Sequence, residues 1–160
     1  TLHKKFGIKN LVDSFLTIDS KETELWIFGQ GDFQNELKEI VKKNKNIRYL
    51  GTKSKSIIYE YEKNALFLIN PRPSEEEFTK YSFPSKTIEY LSSGRPLLTT
   101  NLRGIPEEYK EYVYILEDNN EANFTKSLET VLNKDISELD QFGLKAKKFV
   151  EENKNSPLLS

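Results

Sequence analysis

Hydrophobic positions along the chain follow two alternating patterns. Blocks such as ELWIFG (24–29) and ALFLIN (65–70) are continuously apolar, as in strands that are buried on both faces. Other segments, such as KKFGIKNLVDSFLTI (4–18) and DFQNELKEIVKKN (32–44), repeat apolar residues every three or four positions, as amphipathic helices do. The pattern therefore predicts strands that alternate with helices along the chain.

Boundary residues support this division into elements. Asp32 is the expected N-cap of one helix, Gly94 follows the end of another, and Pro106 suits the first turn of a third. The alternation predicts an α/β fold, a Rossmann-like three-layer sandwich whose parallel sheet has about five to six strands with helices on both faces. The predicted strands cover 24–29, 46–51, 65–70, 95–101 and 113–116, and the predicted helices cover 4–18, 32–44, 56–64, 85–93, 104–112, 120–133 and 136–153.

Composition excludes several functional classes. The 160 residues include 24 basic and 25 acidic side chains, so no global field attracts nucleic acid or an acidic membrane. The absence of cysteine excludes disulfides, thiolate catalysts and zinc–thiolate sites. No apolar run approaches the length of a transmembrane helix. The chain starts at Thr1 and stops within the apolar segment NSPLLS, so we expect it to be a piece of a longer protein.

Candidate chemistry gathers at one edge of the predicted sheet. Ligands of open parallel sheets bind beyond the carboxyl ends of the strands, and the loop YSFPSK (81–86) opens at that edge. The helix that starts near Ser85 offers free N–H groups to an anion, and Ser82 and Lys86 add a donor and a cation. Glu89, one turn further on, could accept hydrogen bonds from a ribose diol. A nucleoside diphosphate needs this combination, although an ordinary helix start with a serine cap and a surface glutamate has the same residues.

Four other residues could have a functional or a structural role. Arg72 follows a buried strand and could hold a phosphate as a fork, or it could pair with the acidic run SEEE (74–77). Gly29 and Gly31 give a weak dinucleotide fingerprint, because position 34 is Gln, and they more simply permit a tight turn. Trp26 lies inside a predicted strand and is expected in the core.

Two long blocks, ELWIFGQGDFQNELKEIVKKNKNIRYLG (24–51) and PSKTIEYLSSGRPLL (84–98), resemble a known family. They are similar to the C-terminal, donor-binding half of retaining glycosyltransferases of the GT-B fold, in particular glycosyltransferase family 4. The segment LHKKFGIKNLVDSF (2–15) is similar to the stretch that opens this half. The closest likeness is to bacterial enzymes that build O-antigen, capsule or exopolysaccharide.

The resemblance implies roles for individual residues. Lys5 would contact the donor diphosphate, and Glu89 would bind the ribose hydroxyls. Lys5 and Lys86 would stabilise the leaving diphosphate, without a metal or other cofactor, and no Asp-x-Asp is present to hold one. The full set of implied donor-binding residues is Lys5, Gly51, Thr52, Lys53, Arg72, Tyr81, Ser82, Phe83, Pro84, Ser85, Lys86 and Glu89.

One position departs from the family motif. The motif has two glutamates, of which Glu89 matches the second, and the chain has Tyr81 where the first should stand. The first glutamate lies near the transferred sugar in the family, so the resemblance assigns no sugar contact to this position of the chain. Glu76 or Glu77 could compensate from the neighbouring loop, and Arg72 is another candidate.

The resemblance also implies a larger context. Residues 1–160 would be one donor-binding domain, and a missing N-terminal domain would bind a saccharide or lipid-linked acceptor. The donor would be a sugar linked to UDP, and the isolated chain would transfer little sugar. The full protein would be cytoplasmic and would work at the inner face of the bacterial membrane.

Three alternatives come from other classes of protein. A receiver domain of a response regulator requires acidic residues where this chain has GQGD and NPR. A UDP-sugar epimerase with the same two-domain architecture would share the ribose contacts. A non-catalytic nucleotide-binding domain would tolerate Tyr81. The sugar, the nucleobase, the acceptor and the oligomeric state are not encoded in any motif of the chain.

Overall fold

The computed structural model describes residues 2–4, 7–18, 20–74 and 85–153. Helices and strands alternate in the predicted order. The helices are α1 (Ile8–Ile18), α2 (Gln34–Lys43), α3 (Lys55–Lys63), α4 (Ser85–Ser92), α5 (Glu121–Leu132) and α6 (Ile136–Asn153), with a 3-10 helix at Glu107–Tyr112. The strands are β1 (Leu25–Ile27), β2 (Ile47–Tyr49), β3 (Leu68–Asn70), β4 (Leu97–Thr99) and β5 (Tyr114–Ile115).

All strand pairs among the described residues are parallel, which confirms the predicted α/β class. β1 pairs with β2, with Leu25 opposite Ile47, and β4 lies between β3 and β5. Hydrogen bonding thus divides the five strands into a two-stranded and a three-stranded sheet. The strands are shorter than the apolar blocks that predicted them, because the residues flanking each strand belong to turns and loops rather than to the ladders.

Adjacent residues of β4 show that helices cover both faces of the sheets. Leu97 and Leu98 are both fully buried but belong to different apolar clusters, since successive side chains of a strand point to opposite faces. Leu98 packs in the cluster that includes residues of α1, α2 and α5, whereas Leu97 packs with residues of α4, α6 and the 3-10 helix. The first cluster also receives side chains of β1 and β2, so it joins the two sheets on one face.

Two boundary predictions were wrong. Asp32 does not cap α2, which begins after Phe33 without a side-chain cap; its carboxylate instead accepts the Lys4 N–H at 2.8 Å, tying down the N-terminal segment. Residues 104–112 do not form an α-helix: Pro106 precedes a six-residue 3-10 helix, in which the Tyr109 N–H donates to the Pro106 carbonyl. The predicted end of α4 is confirmed, because Gly94 follows it with a φ of 83°.

Candidate functional site

A cleft of about 1860 Å³ opens between the two sheets. Its walls come from β1 and β3, and α3 and α4 contribute to its rim. Five of the residues predicted to bind a donor lie in this one cleft, although they come from three separate parts of the sequence. They are Thr52, Lys53, Arg72, Lys86 and Glu89.

The loop between β2 and α3 is fixed at both of its ends. The Gly51 carbonyl accepts the Gly29 N–H at 2.9 Å, which ties the ends of β1 and β2 together. Ser54 caps α3 by accepting the Ile57 N–H at 3.4 Å. Thr52 and Lys53 lie on the short segment between these two anchored points, and both are exposed.

Helix α4 presents charge to the cleft from its first turns. Thr87 and Leu91, four residues apart, are fully buried and fix the inward face of the helix. Lys86 and Glu89, three residues apart, are both exposed and line the cleft from the other face. A cation in the first turn of α4, at the positive end of the helix dipole, and a carboxylate one turn further on thus face the same cleft.

The segment after β3, residues 71–74, is held by hydrogen bonds to three side chains, of which that of Thr100 is fully buried. We call it the Arg72 loop. The Arg72 N–H donates to Asn70 Oδ1 at 3.3 Å, and the Thr100 hydroxyl donates to the Arg72 carbonyl. The Ser74 hydroxyl and N–H donate to the Asp118 carboxylate at 2.8 and 2.9 Å. These contacts hold the backbone that carries Arg72 at the mouth of the cleft.

Carboxylates in the cleft influence one another. Burial raises the pKa of Glu62 on α3, the charge of Lys86 partly offsets that rise, and the charge of Glu89 adds to it. Burial, with the charges of Glu62 and Glu89, also raises the pKa of Tyr90 to about 12. Tyr90 is therefore a neutral phenol near pH 7.

Aromatic rings form part of the cleft wall. Tyr61 of α3 makes edge contacts with Trp26 at 5.3 Å and with Phe28 at 5.2 Å between ring centroids. Trp26 is half-buried and lines the cleft, so its predicted place in the core was wrong. Its indole N–H donates to Glu24 at 3.0 Å, and this polar partner keeps one edge of the ring near solvent.

Several predicted residues lie outside the part of the chain that the structure describes. They are Lys5, Glu76, Glu77, Tyr81, Ser82, Phe83 and Pro84. Ser85 is described only as the first residue of α4. The alternative pairing of Arg72 with the acidic run also falls largely outside, since only Ser74 of that run is described.

The sequence did not indicate the residues that support the site. Thr100 follows Arg72 by 28 positions and Asp118 follows Ser74 by 44, and no local pattern links residues so far apart. The only signal was their place at the carboxyl ends of β4 and β5. Among the described residues, no group of three or more acidic or histidine side chains is arranged to hold a metal ion, and no helix could span a membrane.

Comparison with known structures shows which fold this is. The C-terminal domain of a group 1 glycosyl transferase family protein (LpcC) from Francisella tularensis matches 94% of the chain at 16% identity, with 80% of its own length covered and a TM-score of 0.74. Sucrose-phosphate synthase from Thermosynechococcus elongatus matches 98% at 16% identity and a TM-score of 0.74. WaaG, a glycosyltransferase involved in lipopolysaccharide biosynthesis, matches 92% at 16% identity and a TM-score of 0.67.

The chain spans 41% of the sucrose-phosphate synthase and 40% of WaaG. A search of curated protein sequences gave no match. The model of the family described as glycosyl transferases group 1, however, matches residues 1–134. The chain therefore belongs to the group 1 glycosyl transferases and has the fold of a GT-B C-terminal domain.

Proposed function

We propose that this chain is the nucleotide-sugar-binding domain of a retaining glycosyltransferase. One observation carries the proposal: Arg72, Lys86 and Glu89 line the same cleft, although they come from two different elements. Two cations suit a diphosphate, and a carboxylate in the same cleft suits the two hydroxyls of a ribose. A site for the phosphates alone would gain nothing from an acid at this place.

The diphosphate, the ribose and the nucleobase of the donor each have a proposed partner in the cleft. The first turn of α4, with Lys86, faces the diphosphate. Glu89 accepts hydrogen bonds from the ribose hydroxyls. Thr52 and Lys53, on the anchored loop after β2, lie beside the nucleobase, and UDP is the nucleotide that the family resemblance favours.

The proposed reaction transfers a sugar to an acceptor hydroxyl. The bond between the anomeric carbon and the diphosphate oxygen breaks, and the oxygen keeps the electron pair. The acceptor oxygen bonds to the anomeric carbon on the face that the diphosphate leaves, and its proton is released. Lys86, Lys5 and the N–H groups of α4 would stabilise the negative charge that develops on the diphosphate.

The remainder of the proposal concerns the whole protein. A second, N-terminal domain would bind a saccharide or lipid-linked acceptor, and the enzyme would act in bacterial surface polysaccharide synthesis at the inner face of the membrane. The likeness to WaaG, which is involved in lipopolysaccharide biosynthesis, supports this context. The donor sugar would be a hexose or an N-acetylhexosamine.

Titration of the chain with nucleotides tests the proposal. We expect UDP to shift the NMR signals of residues that line the cleft and to raise the melting temperature, with GDP, ADP and uridine as comparison ligands. Arg72→Ala and Lys86→Ala should weaken UDP binding and leave uridine binding unchanged, because each removes a phosphate contact. Lys148→Ala, on the exposed face of α6, is the matched control for loss of a cation. If no nucleoside diphosphate binds at millimolar concentration, the proposal is wrong.

A further inference from the structure

The Arg72 loop is short and stiff, and it is anchored to residues far away in the sequence. Pro71 and Pro73 flank Arg72, and each proline ring fixes its backbone φ. Thr100, which is fully buried, donates to the Arg72 carbonyl from the end of β4. The start of the loop is thus determined by β3 and β4.

A different strand determines the other end of the loop. Asp118 lies beyond β5, which is separated from β3 by β4 in the sheet. Its Oδ1 accepts the Ser74 hydroxyl at 2.8 Å, and its Oδ2 accepts the Ser74 N–H at 2.9 Å. Both oxygen atoms of the Asp118 carboxylate accept a hydrogen bond from Ser74. Hydrogen bonds to a charged acceptor are stronger than those between neutral groups.

We propose that Asp118 is a positioning residue for the donor diphosphate. By holding Ser74, it fixes the Arg72 loop so that the guanidinium stays in the cleft. Asp118 itself lines a separate small polar cavity between α1 and α5, with Asp13 and Thr125 among its neighbours. It therefore acts through Arg72 and not on the ligand. This inference rests on the proposed function, since it assigns Arg72 to the diphosphate.

Asp118 is not among the described residues that line the cleft. Its charge is directed to the two donors of Ser74, two residues beyond Arg72. A neutral residue without an acceptor would leave the Ser74 N–H to water and free the loop. We expect about a tenfold loss of UDP affinity, because the freed loop would have to be ordered when UDP binds.

A double-mutant cycle on the 160-residue chain tests the inference. UDP and uridine affinities are measured for Asp118→Ala, for Arg72→Ala and for the double variant. We expect Asp118→Ala to weaken UDP binding about tenfold and to leave uridine binding unchanged. In the Arg72→Ala background, the Asp118 substitution should have no further effect, because its route to the ligand is gone.

Three further variants complete the test. Asp118→Asn keeps an oxygen for the Ser74 N–H and gains an N–H₂ for the hydroxyl oxygen, so it should restore most of the affinity. Glu117→Ala removes the same charge from the neighbouring exposed position and should bind UDP as the unaltered chain does. If Asp118→Ala does not fold, Ser74→Ala removes the hydroxyl contact alone and should still weaken UDP binding.

The outcomes separate this inference from the proposed function. Unchanged UDP affinity in Asp118→Ala, or in Ser74→Ala if the former does not fold, overturns the inference alone. Equal losses for UDP and uridine, or losses that add in the double variant, also overturn it, because they show a general structural role. Failure of the unaltered chain to bind UDP overturns the proposed function and the inference together.

Discussion

Gly7 packs directly against the backbone of Pro71. A Cβ at Gly7 would lie 2.0 Å from the Pro71 carbonyl oxygen, and Gly7 has a φ of 86°. The contact joins Gly7, just before α1, to Pro71 of the Arg72 loop. The two residues are 64 positions apart in the sequence, the difference between 71 and 7. The glycine is required at this position both by its backbone conformation and by the lack of space.

Gly7→Ala should destabilise the chain strongly. Positive φ alone costs an alanine roughly 1–2 kcal/mol, and the clash with Pro71 adds to that cost. Gly51→Ala is the control, because Gly51 has a φ of 69° and a Cβ added there would meet no described atom within 4 Å. Chemical denaturation should show a larger loss for Gly7→Ala. Equal losses at the two positions would mean that the contact with Pro71 is unimportant.

Removal of the Asp140 carboxylate should destabilise the packing of α6. Its Oδ1 accepts from Arg95 Nη1 at 2.7 Å, and Arg95 is only 16% exposed. Asp140→Ala should lower the free energy of unfolding by about 1–3 kcal/mol, since it leaves a largely buried cation without its counter-charge. Glu39→Ala breaks a similarly short pair with Lys42 on the surface and should have no measurable effect. A denaturation midpoint for Asp140→Ala that matches Glu39→Ala would contradict this account.

Two buried hydroxyls, one on Thr87 within α4 and one on Ser93 directly after it, should respond in opposite ways to removal. Within the described residues, the Thr87 hydroxyl has no hydrogen-bond partner, so Thr87→Val should be neutral or stabilising by up to about 1 kcal/mol. The Ser93 hydroxyl donates to the Tyr90 carbonyl and accepts the Arg95 N–H at 3.1 Å. Ser93→Ala should therefore destabilise the chain. Thermal unfolding of both variants measures the difference, and a loss of stability in Thr87→Val would point to a partner for its hydroxyl.

The free energy of unfolding should depend on pH through the carboxyl group of Glu62. The pKa of Glu62 in the folded chain is raised above the ordinary value of 4.5. The stability that the protonated side chain contributes to the folded state is therefore complete below pH 4.5 and is lost as pH rises through the folded pKa. Glu62→Gln should therefore be more stable than the unaltered chain at pH 7, and the difference should vanish as pH falls below 4.5.

The control for this pH effect lies on the same helix. Glu60 is exposed and pairs with Lys63 at 2.8 Å, so Glu60→Gln removes a favourable charge and should not stabilise the chain at pH 7. Melting temperatures of both variants between pH 4 and pH 8 decide the matter. A stability difference for Glu62→Gln that stays constant over this range would show that Glu62 does not titrate with a raised pKa.

Local patterns in the sequence were enough to predict the order of elements. Short segments rich in apolar residues marked the five described strands, and Gly94 marked the end of α4, because these signals depend on neighbouring residues. Strand ends were less predictable, since the apolar block 24–29 continues past the last β1–β2 ladder pair at Ile27. The sequence also could not show that hydrogen bonding divides the strands into two sheets, because strand pairing depends on contacts across the fold.

The candidate site was predictable only in part. Arg72 could be predicted to line the site because it follows the carboxyl end of a strand, where ligands bind in this class of fold. Glu89 could be predicted because it lies one turn into the helix that begins after the next loop. Asp118 and Thr100 could not, because their importance comes from single hydrogen bonds to loops far away in the sequence. The role proposed for Asp32 as a helix cap was wrong for the same reason: its partner, Lys4, is 28 residues away.

The central claim is that Glu89 binds the ribose of a nucleoside diphosphate. Calorimetry of the unaltered chain and of Glu89→Gln, each with UDP and with 2′,3′-dideoxy-UDP, tests it most directly. We expect the unaltered chain to bind UDP at least about tenfold more tightly than the dideoxy nucleotide, and Glu89→Gln to lose most of that preference, since the ribose hydroxyls donate to the carboxylate. An equal preference for UDP in both proteins would contradict the claim.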